Sequence, residues 1–146
     1  ELQDYRELFT AVLDKFHLPL FLDGADPEML KEADKWLELL EVQNKTKIVD
    51  GRFDTVELSA GQRRRLGLVA AVLERRPIIV LDEWAADQDP IFRRKFYRQI
   101  IPLLRDRGHT IVAVTHDSRF FDVATQQLHM EYGVIADFKS PDDFHD

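Results

Sequence analysis

The chain has 146 residues, with 20 Lys and Arg against 27 Asp and Glu, for a formal charge of -7. That acidic balance argues against a nucleic-acid partner, which calls for a basic excess, while 45% hydrophobic and 32% charged residues fit one soluble globular domain. Without cysteine there are no disulfides or thiolate metal sites; Glu1 to Phe9 does not read as a secretory signal, and no apolar run approaches the roughly 20 residues of a membrane span.

Arg6 to Val12 reads as a short strand, followed by a mixed loop with Pro19 and Gly24 as breakers. Asp26-Pro27 opens a helix as cap and first residue, and Leu30, Ala33, Leu37 and Leu40 form its apolar stripe. Trp36 is expected at the surface or at a subdomain contact. Asn44 to Glu57 is polar, with a turn at Asp50-Gly51. Ser59 and Gln62 have capping-box spacing, and the helix they start buries Leu66, Val69, Ala70 and Leu73. Arg75-Arg76 are expected in its last turn, with Pro77 ending it.

Ile78 to Leu81 predicts a strand buried on both faces. Asp89-Pro90 opens another helix, with Phe92, Phe96, Ile100 and Leu103 inward and Gly108 closing it. His109 to Thr115 predicts a second buried strand, and Asp117 starts a short helix. Leu128–Met130 and Gly133–Phe138 predict a closing strand pair. Strands alternating with helices imply an α/β fold with a mainly parallel sheet.

Ligands of such sheets bind beyond the carboxyl ends of the strands, where Asp82, Glu83 and His116 fall. Each has an ordinary reading. An Asp-Glu pair after an apolar strand is often a solvated turn, yet it can also hold Mg²⁺ through waters and position a water for attack. A strand-end His is often a surface residue, yet it can sense phosphate charge. Ser59-Ala60-Gly61-Gln62 is first a capping box, but its exposed amides also suit a phosphate. Arg63-Arg64-Arg65 reads as a partly solvated helix face. No signal is specific alone; the ordered set is.

Leu58-Ser59-Ala60-Gly61-Gln62 with Arg65 resembles the LSGGQ signature of ABC-type ATPases, with Ala60 in place of one glycine. Ile78 to Glu83 resembles their Walker B strand and trailing glutamate, Asp89 the D-loop aspartate and His116 the switch histidine. The run Leu81 to Pro90 is similar to bacterial exporters of cyclic-peptide or siderophore type. The resemblance implies a P-loop NTPase-like core, with a helical subdomain over about 14–76 and the Walker B to switch-histidine part over 77–138. It implies ATP and Mg²⁺ as cofactors. Asp82 would bind the metal indirectly, Glu83 would be general base or water-positioner, and His116 would contact the γ-phosphate. Ser59, Gly61 and Gln62 would grip the γ-phosphate of ATP held by a second ATPase subunit, with Asp89 working across that interface. A transmembrane domain is the other implied partner, at the cytoplasmic face of the bacterial inner membrane.

Three departures stand out. Trp84 occupies the family's usual proline position, and no glutamine follows Val12, where Asp14 is the nearest Q-loop counterpart. No two of the six glycines have the G-x-x-x-x-G-K-[ST] spacing of a phosphate loop. The chain is therefore expected to be the C-terminal portion of such a domain, lacking the Walker A strand and helix, unable to bind ATP tightly alone, and left with an apolar gap and an open edge. The competing readings are a soluble ABC ATPase acting on DNA, against which the short Lys15–Leu58 interval argues, and a non-enzymatic interaction module.

Overall fold

The computed structural model describes residues 5–13, 26–54 and 57–139. The expectations placed on Asp14 and on the loop to Ala25 lie outside them. The first strand, β1, is confined to Phe9–Val12. Leu8 N–H bonds the Tyr5 carbonyl at 3.1 Å, closing a turn where a longer strand was expected.

Helix α1 (Pro27–Leu39) is capped by Asp26, whose carboxylate accepts from the Met29 N–H at 2.7 Å. Ala33, Leu37 and Leu40 are buried as the periodicity predicts. Trp36, expected at the surface or at a subdomain contact, is 2% exposed and so not at the surface; it stands three residues from Ala33 and so shares its stripe. Strands β2 (Ile48–Val49) and β3 (Arg52–Phe53) form a hairpin around Asp50-Gly51. Both turn residues have left-handed φ, 51° and 72°, as a tight two-residue hairpin turn requires.

Helix α2 (Ala60–Leu73) starts with both halves of the capping box formed. Its inner half is buried all round, not on one face: every residue from Leu66 to Leu73 is enclosed. It ends before Arg75-Arg76. Arg76 precedes Pro77, which disfavours helical backbone there, so the chain leaves the helix through a left-handed Arg75 (φ 54°).

Strand β4 (Ile78–Asp82) lies between β1 and β5 (Thr110–Val114), parallel to both. Register aligns Thr10 with Ile79 and Ile111, and Val12 with Leu81 and Ala113. That face receives the helices, and Thr10, Val12, Ile79 and Leu81 are buried in it. The opposite face, with Phe9, Val80, Val112 and Val114, is not covered by any described element. β5 is therefore an exposed edge and not the buried strand its β-branched run predicts: Val112 and Val114 are about half exposed.

Between β4 and β5 the chain runs through α3 (Pro90–Lys95), a π turn (Phe96–Ile100) and α4 (Ile101–Asp106). The widening immediately precedes Pro102, which has no N–H for the Arg98 carbonyl and crowds it. Phe92, Phe96 and Ile100 are buried as expected, but the next core residue is Leu104, not Leu103. A short 3₁₀ turn (Ser118–Val123) follows. Asp117 does not cap it; its carboxylate pairs with Arg119 instead. Strands β6 (Gln127–Glu131) and β7 (Val134–Lys139) close the chain as an antiparallel hairpin turning at Tyr132-Gly133. Its Leu128, Met130, Val134, Ile135 and Phe138 are exposed.

Candidate functional site

Two groups of the expected residues lie at two places joined by one loop. The first is the strand end. Asp82 closes β4, and Glu83 follows with φ 46°, a left-handed conformation uncommon for a residue with a side chain. Its N–H is held by the Val114 carbonyl at 3.0 Å, so β5 fixes the backbone of the residue that leaves β4. Beyond the end of β5, His116 brings Nδ1 to 3.0 Å from Glu83 Oε1, a hydrogen bond when Nδ1 carries the proton. The two residues expected to do chemistry from separate strands thus touch. His116 is otherwise open to solvent and Glu83 about one-third exposed, so both are accessible. No described residue bonds or pairs with the Asp82 carboxylate. A single hard oxygen donor of that kind suits Mg²⁺ that keeps most of its waters. Among the described residues no cluster of three or more His, Cys, Asp or Glu could enclose a metal on its own.

The second group is the start of α2. Ser59 Oγ accepts from the Gln62 N–H at 3.3 Å, and Gln62 Oε1 accepts from the Ser59 N–H at 3.1 Å. This uses acceptors only. The Ser59 hydroxyl hydrogen and the Gln62 Nε2 remain as donors, and donors at a helix N-terminus suit an anion. Gly61 has a steric duty as well: a Cβ there would stand 2.8 Å from the Asp87 carbonyl oxygen. Only glycine lets the 84–88 loop press so closely on the helix.

That loop links the groups. Gln88 Nε2 donates to the Gly61 carbonyl at 3.1 Å, and its Oε1 accepts from Arg65 Nε at 2.8 Å. Arg65 also reaches Asp89 Oδ2 at 3.2 Å and lies over the Phe92 ring, 3.4 Å from its centroid. Burial pulls its pKa down against the raising effect of Glu41 and Asp89. Asp89 caps α3 through the N–H groups of Ile91 and Phe92, at 3.1 and 2.9 Å. The Phe92 N–H, helped by Arg65, holds the Asp89 carboxyl below its usual range. Both Asp89 oxygens are thus engaged within the chain, although its side chain remains about half exposed.

Trp84 is locked in the same place. Its ring stacks on Phe96 with centroids 4.1 Å apart, and its Nε1 donates to the Arg64 carbonyl at 3.0 Å. The arginine run is partly solvated, with Arg63 exposed and Arg65 half-buried, but Arg64 between them is buried. Arg64 bonds the Glu83 carbonyl and pairs with Asp87 at 3.1 Å.

Comparison with known proteins gives this architecture its family. A family model described as "ABC transporter" matches residues 2–86. The ATP-binding protein SyrD of Pseudomonas syringae pv. syringae is 45% identical over 141 residues, 93% of this chain and 25% of that protein. The lipoprotein-releasing system ATP-binding protein LolD of Hahella chejuensis is 30% identical over 127 residues, 86% of this chain and 53% of the relative. The chain thus spans from a quarter to about half of these relatives. Among solved structures, a bacterial Atm1-family ABC exporter with ATP bound superposes with a TM-score of 0.74 at 17% identity, over 98% of this chain and 27% of that one. The ATP-binding cassette MJ0796, a dimer bound to ADP and Pi, gives 0.72 at 20% identity, over 96% and 66%. The α/β core, the capped signature helix and the family match agree: the chain belongs to the ABC transporter family, within its ATPase domain.

Proposed function

We propose that the chain works within an ABC exporter, where ATP hydrolysis drives a cyclic-peptide or siderophore-like substrate across the bacterial inner membrane. The observation that carries the catalytic part is the 3.0 Å contact between Glu83 and His116 at adjacent strand ends. Glu83 orients the attacking water and accepts its proton, and His116 holds the Glu83 carboxylate in place while its exposed edge meets the γ-phosphate. Asp82 would hold a hydrated Mg²⁺, and the ion would supply charge neutralisation at the phosphates. Ser59, Gly61 and Gln62 offer donors and close backbone to the γ-phosphate of ATP held by a second ATPase subunit, and Asp89 sits at that interface.

The 146 residues contain no phosphate-loop motif, and in this reading phosphate-cradling amides and their lysine are supplied by a Walker A strand and helix of the complete domain. The open sheet face and the β5 edge offer these a seat. The membrane domain is the remaining partner, which places the working protein at the cytoplasmic face. The export direction and substrate class rest on the resemblance of the run from Leu81 to Pro90 to bacterial exporters of cyclic-peptide or siderophore type.

The test is ATP turnover by the complete protein carrying this chain. Glu83→Gln is expected to lower kcat by about 10²-fold or more with ATP binding retained. Wild-type turnover by Glu83→Gln would overturn the catalytic assignment.

A further inference from the structure

We propose that Arg64 is a positioning residue for Glu83: through the Glu83 carbonyl it fixes the backbone that aims the carboxylate, and it ties that backbone to the signature helix. This rests on the reading of Glu83 as the general base.

Arg64 is 7% exposed, and a guanidinium so enclosed is costly unless its donors are engaged. Its Nη1 donates to the Glu83 carbonyl, and its Nε pairs with Asp87 at 3.1 Å. The neighbouring arginines do different things. Arg63 is exposed and bonds the Leu58 carbonyl in its own cap region, while Arg65 serves Gln88 and Asp89. Only Arg64 reaches the residue after Asp82.

The tie is reciprocal. Arg64 gives a side-chain donor to the Glu83 backbone, and its own backbone carbonyl takes the Trp84 indole N–H at 3.0 Å. Two consecutive residues of the strand exit are therefore each bonded to one residue of α2. Trp84 in turn is fixed by its stack on Phe96.

What this holds is a strained conformation. The left-handed φ of 46° at Glu83 is disfavoured for a residue with a side chain and persists only where several contacts impose it. Three act here: the Glu83 N–H to Val114 and the Ala86 N–H to the Glu83 carbonyl, both at 3.0 Å, and Arg64 on that same carbonyl. The left-handed turn directs Glu83 Oε1 to within 3.0 Å of His116. With Arg64 gone, the carbonyl loses its one charged donor, and the residue is free to relax toward extended backbone, carrying the carboxylate off His116.

The decisive experiment is steady-state ATP hydrolysis by the complete protein, with ATP affinity and thermal stability measured on the same variants. Arg64→Gln is expected to lower kcat about 10- to 100-fold, the scale of an ångström-level misplacement, while KM and ATP affinity stay near wild type. Arg64→Lys should recover part of kcat, since an ammonium can reach the Glu83 carbonyl or Asp87 without the fork that engages both. Asp87→Asn, which leaves the arginine in place but removes the charge that pairs with its Nε, should give a smaller loss in kcat alone. A purely structural Arg64 would lower melting temperature, ATP affinity and kcat together, without rescue by lysine; that pattern overturns the proposal, as does wild-type kcat in Arg64→Gln. Should Arg64→Gln fail to fold, Asp87→Asn decides: a kcat loss at unchanged ATP affinity supports the proposal, and wild-type kcat overturns it. Glu83→Gln separates the two readings. If it is inactive while Arg64→Gln is wild type, only the positioning role falls; if it turns over normally, the general-base reading falls and this one with it.

Discussion

Replacing Gly61 with alanine opposes two effects whose sizes the structure ranks. Alanine is favoured over glycine by about 1 kcal/mol inside a helix, and less here, since Gly61 is only the second helical residue. Against it, the new methyl would stand 2.8 Å from the Asp87 carbonyl oxygen, where ordinary contact begins at 3.4 Å. The obstructing atom is backbone and cannot rotate away. The loop must retreat, lengthening the Gln88 Nε2 bond to the Gly61 carbonyl, now 3.1 Å, and loosening Arg65 from Gln88. Overpacking of this kind costs about 1–3 kcal/mol, so the clash wins and Gly61→Ala is destabilised by about 1–2 kcal/mol net. Urea unfolding followed by tryptophan fluorescence reads this as a lower midpoint at unchanged slope. A midpoint equal to or above wild type would refute the close approach as the reason for glycine.

Trp84→Phe keeps an aromatic for Phe96 but deletes the donor to the Arg64 carbonyl; it should cost about 1–3 kcal/mol, and an unchanged unfolding midpoint would show that the indole N–H does not matter. Asp89 supplies acid sensitivity. Its carboxyl is held below the usual range, chiefly by the Phe92 N–H, so its contribution is full above about pH 4 and is lost as pH falls through the lowered value. Comparing Asp89→Asn with wild type at pH 7 and pH 2.5 should therefore show a gap at neutrality that narrows in acid; a gap independent of pH would contradict the assignment.

Signals contained within a few residues were legible before any coordinates. Asp26-Pro27, Ser59 with Gln62, and Asp89-Pro90 each start a helix through a cap that depends only on neighbours. Asp82, Glu83 and His116 were legible because strand ends are where the chain must leave the sheet. Burial depends on what packs from elsewhere, and there the pattern misled. The β-branched run of β5 is that of an interior strand, yet no described element covers its outer edge. Arg64 was misread for the same reason: charge suggests solvent, whereas its place is set by the Glu83 carbonyl and Asp87, 19 and 23 residues further along.

The π turn at Phe96–Ile100 acts as a vernier between two periodicities. An α-helix advances about 100° per residue, so contacts four apart drift by about 40° at each step. Phe92, Phe96, Ile100 and Leu104 are all buried at intervals of four, and the wider turn takes up part of that drift. One stretch of chain can therefore place Phe96 under Trp84 and, one residue later, stack Tyr97 on Phe120 and bond it to Thr115 at 3.0 Å. The adjoining residues of both catalytic candidates, Trp84 after Glu83 and Thr115 before His116, are thereby gauged from the same helical turn. Residue count within it matters as much as residue identity, because a single insertion or deletion would rotate one reference against the other.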